Sequence, residues 1–269
     1  MINKSLNGKW KMINPKKSLG QNFLRDQEIL EKIIKSADLK ADDFVIEVAP
    51  GEGVLTEKLA KKVASVLAIE IDQNLIPTLE KKFKANNKIK IINDDILKIN
   101  LENLTSKKNY KVIANIPYYI TSKIIRLFLE STTPPSEMIL MVQKEVAERI
   151  VAKPGKMSLL AVSVQYYAKA ELLFEVPRDS FFPIPEVDSA ILKISGIKKN
   201  KSATKKFFQV VRAGFSAKRK TLLNNISNGL QLEKKLVEEK LKTIDLKPTA
   251  RAQELSLSDW EKLSEILIT

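Results

Sequence analysis

Apolar positions between residues 26 and 143 alternate between two rhythms. DQEILEKIIKSADL (26–39) carries Ile and Leu at helical spacing, with Asp26 placed as an N-cap. FVIEVA (44–49) is a short continuous apolar run, followed by a helical VLTEKLAKKV (54–63). SVLAIEID (65–72) precedes a helical NLIPTLEKKFKA (74–85), and IKIIN (89–93), YKVIAN (110–115) and MILMVQ (138–143) read as further strands. TSKIIRLFLE (121–130), between the last two, reads as a helix. Strands alternating with helices predict an α/β fold, a parallel sheet covered on both faces. The pattern then changes: residues 158–177 and 187–195 read as longer strands around the Pro-rich loop VPRDSFFPIPE (176–186), an antiparallel edge on the sheet. From about residue 200 the period is helical throughout. We therefore expect a domain over 1–196 and a small α-helical domain over 197–269, joined by GIKKNKSAT (196–204).

Composition narrows the chemistry. The 269 residues contain no His and no Cys, which removes disulfides, Cys/His zinc sites, thiolate nucleophiles and Ser-His-Asp relays. Catalysis must run on carboxylates, amides, aromatics, Lys or a bound cofactor. No uncharged apolar run approaches the roughly 20 residues of a membrane span, and MINKSLNGKWKM lacks a signal peptide's apolar stretch, so the expected address is cytoplasmic. Net charge is +14, and its location matters more than its size: residues 1–20 hold five Lys and no acid, and 198–220 hold nine basic residues and no acid. Such stretches suit a polyanion, whose neutralised phosphates release counterions; a solvated helix face in a Lys-rich chain is the plain alternative.

In an open α/β sheet the ligand sits beyond the carboxyl ends of the strands, and four loops fall there. Glu47-Val-Ala-Pro-Gly-Glu-Gly53 has small residues at Ala49, Gly51 and Gly53 that allow close backbone approach, yet it is neither G-x-G-x-x-G nor a P-loop, and alone it reads as a strand-to-helix turn. Glu70, one strand later, is placed to accept both ribose hydroxyls of a nucleotide; Asp72 suits the helix N-cap better. Asp94 and Asp95 could accept from an adenine amino group or form an Asx turn. Asn115-Ile-Pro-Tyr-Tyr119 joins an amide, a helix-breaking Pro117 and an aromatic at a strand end. An exocyclic adenine amine is a poor nucleophile because its lone pair is delocalised into the ring. An Asn oxygen and a backbone carbonyl that accept its two N–H bonds localise that pair, while a Tyr face holds the base.

At these residues the chain resembles the S-adenosylmethionine-dependent rRNA adenine N6,N6-dimethyltransferases of the KsgA type. The resemblance rests on Gln-Asn-Phe-Leu (21–24), EVAPGEG (47–53), Glu70, Asp-Asp-Ile-Leu (94–97) and Asn-Ile-Pro-Tyr (115–118), and continues through residues 141–155, 176–190, 215–226 and 251–263. It implies a Rossmann-like methyltransferase sheet with a C-terminal all-α domain, S-adenosylmethionine as cofactor and small-subunit rRNA as partner; no metal, no membrane and a monomeric chain are expected beside it. It further implies that Asn22, Leu24 and the backbone of 49–53 line the methionine end of the cofactor. Glu70 would hold the ribose, Asp95 and Ile96 the adenine, and Asn115 would lie between cofactor and target. Tyr118 and Phe181 would sandwich the target adenine. Taken singly, Asn22, Leu24 and Phe181 read as loop or core residues. Two positions depart from the family pattern: Ala49 stands where Gly is usual, and Leu159-Leu160 where Tyr-Gly is common. The erythromycin-resistance type, acting on large-subunit rRNA, shares the cofactor motifs. EVDSA (186–190) and FSAKRKTLLNN (215–225) favour the small-subunit type, and the intact Asn115–Tyr118 motif argues against a non-catalytic nucleic-acid-binding relative.

Overall fold

A computed structural model describes residues 15–105, 109–198 and 204–267. Five short apolar runs become parallel strands: β2 (Phe44–Val48), β3 (Ser65–Glu70), β4 (Ile89–Asn93), β5 (Lys111–Asn115) and β6 (Glu137–Gln143), the numbering allowing for a two-residue strand β1 (Phe23–Leu24) ahead of them. Helices α1 (Gln27–Ser36), α2 (Val54–Ala60), α3 (Ile76–Phe83), α4 (Leu101–Thr105) and α5 (Thr121–Leu129) alternate with these strands. Asp26 caps α1 as its position predicts, its side chain accepting from the N–H groups of Glu28 and Ile29.

The run expected as a long strand over 158–177 is divided. After α6 (Lys144–Ile150), α7 (Leu159–Tyr167) is helical and only β7 (Lys169–Val176) is extended. Two causes account for the difference. Ser158 caps α7 by accepting from the Ala161 N–H, and LLAVSVQYY is apolar on nearly every side because it is buried between the sheet and the C-terminal helices, which erases the helical period. The antiparallel edge is present: β9 (Ser189–Ser195) pairs antiparallel with both β6 and β7, and the sheet order is β4-β3-β2-β5-β6-β9-β7. A second, two-stranded ladder joins β1 to β8 (Phe181–Phe182).

Alternate residues of each central strand face opposite sides. Ile46, Leu67, Val112 and Leu140 join α5 and α7, whereas Val45, Val66, Ile113 and Ile139 join α1 and α2. The C-terminal helices α8 (Thr204–Gly214), α9 (Leu222–Leu230), α10 (Lys234–Thr243) and α11 (Leu257–Leu267) extend the first of these cores without interruption. Phe207 of α8 stacks on Tyr166 of α7 at 4.0 Å between ring centroids, and Phe208 packs on Tyr167. The expected boundary near residue 196 is thus a change of architecture within one continuous apolar core. Part of the expected 196–204 linker lies outside the described residues. Among the described residues no helix is long and apolar enough to cross a membrane, and no group of three or more Asp and Glu could hold a metal ion.

Candidate active site

The strand order reverses between β2 and β5, and beyond their carboxyl ends lies a cavity of about 280 Å³. Asn22, Leu24, Ala49, Gly51, Glu70, Asp95, Ile96, Asn115, Pro117 and Tyr118 all line it. Two expected residues do not. Gly53 faces away: a Cβ there would sit 2.7 Å from the Phe83 ring, so this glycine serves helix packing rather than ligand approach. Phe181 is 3% exposed, pairs with Leu24 across the β1–β8 ladder and is buried among residues of α1 and α2. Since neighbours on a strand point to opposite sides, it is Phe182 that stands out, 55% exposed.

The glycine loop has three consecutive alternate residues at positive φ: Ala49 (55°), Gly51 (59°) and Gly53 (71°). Ala49 accepts that conformation with a side chain, at a cost of about 1 kcal/mol relative to glycine. Glu70, 3% exposed, ties the loop to the end of β3. Its Oε2 accepts the Gly51 N–H at 3.1 Å and its Oε1 the Asp72 N–H at 2.9 Å, leaving a lone pair on each oxygen for a ligand hydroxyl. Burial raises its pKa, and those two backbone bonds oppose the rise. Asp72 is not the N-cap of α3, a place taken by Leu75. It closes the preceding turn by accepting the Asn74 N–H, and it receives Lys16 Nζ at 2.7 Å and Gln21 Nε2 at 2.8 Å. This carboxylate therefore pins the segment 16–24 along the mouth of the cavity. Asp95 forms the Asx turn, accepting the Leu97 N–H at 3.0 Å, while still lining the cavity.

On the opposite wall Pro117 ends β5 and turns the chain into a short 3-10 helix, Tyr118–Ile120. Asn115 Nδ2 donates to the backbone carbonyl of Asn22 at 3.1 Å. That bond fixes the amide so that Oδ1 remains as the acceptor. The ring of Tyr118 is half-buried, and its hydroxyl lies 2.7 Å from Ser189 Oγ.

Among the lining residues to which sequence reasoning gave no role, Glu47, Ile71 and Lys123 bear on the chemistry. Glu47 is 2% exposed; burial pushes its pKa up to about 8, opposed by hydrogen bonding from Thr56 and reinforced by the Glu70 carboxylate. Its place at the end of an apolar strand was the available signal. Ile71, 46% exposed, supplies an aliphatic wall beside Glu70, and Lys123 is the one cation among the described lining residues.

A switch-point cleft with a glycine loop on one side and an Asn-Pro-aromatic turn on the other is the architecture of the Rossmann-like methyltransferases. The chain belongs to the ribosomal RNA adenine dimethylase family, whose family model matches residues 12–269. It is 46% identical over 256 residues to a ribosomal RNA small subunit methyltransferase A of Dehalococcoides mccartyi, covering 93% of this chain and 88% of that one. Its fold is similar to a dimethyladenosine transferase from Plasmodium falciparum (TM-score 0.76, 28% identity, 90% and 95% of the two chains covered). The 23S rRNA methyltransferase ErmE is similar as well, with a TM-score of 0.75 and 27% identity over 92% of this chain and 100% of that one.

Proposed function

We propose that this protein transfers methyl groups from S-adenosylmethionine to N6 of two adjacent adenosines in the 3′-terminal loop of small-subunit rRNA, within the cytoplasm. Bound in the cleft, the cofactor supplies a methyl carbon carried on a sulfonium. The residues suit it: Glu70, Asp94 and Asp95 line the cleft against Lys123, an acidic surround for a cationic sulfonium and ammonium group. Glu70 has free lone pairs for ribose hydroxyls.

The single observation that carries the reading is the Asn115 amide, held by the carbonyl of Asn22 with its oxygen free to accept. Asn115 Oδ1 and a backbone carbonyl of the 115–118 turn take the two N6–H bonds, drawing N6 toward tetrahedral geometry. With the cofactor held by Glu70 and the glycine loop, the lone pair would be free to take the methyl carbon from the sulfonium, the sulfur leaving as a neutral thioether and the extra N6 proton passing to solvent. Tyr118 holds the base by its face. An unpaired rRNA loop splays its bases at low cost, which helps the target enter. The exposed Lys218, Arg219 and Lys220 lie on the loop between α8 and α9, which Asn225 fixes by donating to the carbonyls of Gly214 and Ala217. They grip phosphates outside the cleft. The expected contribution of the N-terminal Lys cluster falls largely on residues 1–14, outside the described residues.

The test is to incubate the protein and labelled S-adenosylmethionine with unmodified small and large ribosomal subunits, and to map labelled bases by mass spectrometry. Dimethyladenosine at adjacent small-subunit positions is the expected result. Label in the large subunit alone overturns it in favour of ErmE-like specificity.

A further inference from the structure

Stacking a base on a tyrosine fixes only one side of the pair unless the ring itself is fixed. Tyr118 belongs to a three-residue 3-10 turn, an element with little internal hold on its side chains, and the angle of its ring about the Cβ–Cγ bond is soft. Its hydroxyl, however, meets Ser189 Oγ at 2.7 Å. Ser189 is fully buried and opens β9, paired with Gln143 of β6 on one side and Val176 of β7 on the other. The residue before it is tied as well: the Asp188 carbonyl accepts the Lys144 N–H at 3.0 Å, and its carboxylate accepts the Arg178 N–H at 2.9 Å. Strand β6 is the common frame, since Met141 pairs with Asn115 and Gln143 with Ser189, two residues further along. The amide that polarises the target amine and the hydroxyl that tethers the ring are thus set by opposite edges of one buried strand.

We propose that Ser189 is a positioning residue for methyl transfer: its hydroxyl, built into the antiparallel edge of the sheet, fixes the plane of the Tyr118 ring so that a stacked adenine presents N6 to Asn115 Oδ1. The inference rests on the reading of Tyr118 as the residue that holds the target base. It also gives the serine of EVDSA a task, linking the antiparallel edge of the sheet to a residue that lines the cleft.

The test uses the full chain, unmodified small subunits and labelled S-adenosylmethionine, with Ser189→Ala, Tyr118→Phe and the double variant measured at saturating cofactor. Ser189→Ala is expected to lower kcat about tenfold, the effect of one aligning hydrogen bond, with KM for the subunit unchanged. Tyr118→Phe, which keeps the ring and loses the tether, is expected to fall equally, and the double variant no further. A wild-type kcat for Ser189→Ala, or losses that multiply in the double variant, overturns the proposal. Should Ser189→Ala fail to fold, Tyr118→Phe decides with Ser189 still in place: the tenfold fall supports the tether, and a wild-type kcat overturns it. Tyr118→Ala separates the underlying reading, because a wild-type rate there removes Tyr118 from the site, whereas its collapse beside an unchanged Ser189→Ala rejects only the tether.

Discussion

The two walls of the cleft are made of different chemistry. The β2–β4 wall is carboxylate-rich, with Glu70 and Asp95 fixed by backbone N–H donors. The β5 wall offers a neutral amide, a proline and an aromatic ring, the amide and the ring held by contacts with distant chain segments. On the proposed function, the difference follows from what each wall would hold. A cationic cofactor with a diol is recognised by acceptors bearing charge, whereas a neutral amine about to become positive needs an acceptor whose position, more than its charge, directs the lone pair.

Truncating the neutral wall should produce the largest effect. Asn115→Ala is expected to lower kcat by about 10³-fold, comparable to the loss of a preorganised polar group in other transferases of charge, while RNA affinity in a filter-binding assay stays near that of the unaltered chain. Equal losses in kcat and RNA affinity would erase the distinction between the walls. On the charged wall, Glu70→Ala removes both the ribose acceptor and the link to the Gly51 N–H, so cofactor affinity by calorimetry should fall by about 10- to 100-fold. A variant that binds cofactor normally would deny Glu70 its role.

Glu47 gives a smaller effect with a definite sign. Its folded pKa of about 8 lies above the usual value of 4.5, because burial disfavours the carboxylate. The folded chain keeps this proton while the unfolded chain loses it, so the group's contribution to stability declines as pH rises from about 4.5 to about 8 and is constant beyond. Glu47→Gln should abolish that decline, a difference of about 4 kcal/mol, and its melting temperature relative to the unaltered chain should climb by about 7 °C between pH 5 and pH 9. A pH-independent difference would contradict the assignment. Least of all, Ala49→Gly relieves a methyl at φ 55° and should raise stability by at most about 1 kcal/mol, seen in urea denaturation.

Much of the carboxylate wall was legible in the sequence because each acid ends an apolar run, and strand ends in a parallel sheet converge. Glu70, Asp95 and Asn115 stand where that logic puts them. Phe181 and Gly53 escaped it because their roles depend on side-chain direction, a strand's alternation at Phe181 and the approach of Phe83 at Gly53. Neither leaves a mark in spacing. Helix α7 was hidden for the opposite reason: a segment buried on both sides loses the period by which a helix is recognised. Asp72 looked like a cap because its type and place fit one, whereas its bonds go to Lys16 and Gln21, more than fifty residues earlier in the chain.

That long-range bond makes the strap a setter of handedness for the amide it touches. Asn115 presents oxygen rather than NH₂ to the cleft because one carbonyl, that of Asn22, lies on the other side. Move that carbonyl away, and the amide is free to turn over by half a revolution, setting two N–H donors against an amine's own hydrogens. The catalytic group would then be chemically intact, correctly placed and facing backwards: a folded enzyme silenced by a rotation that leaves every covalent bond where it was.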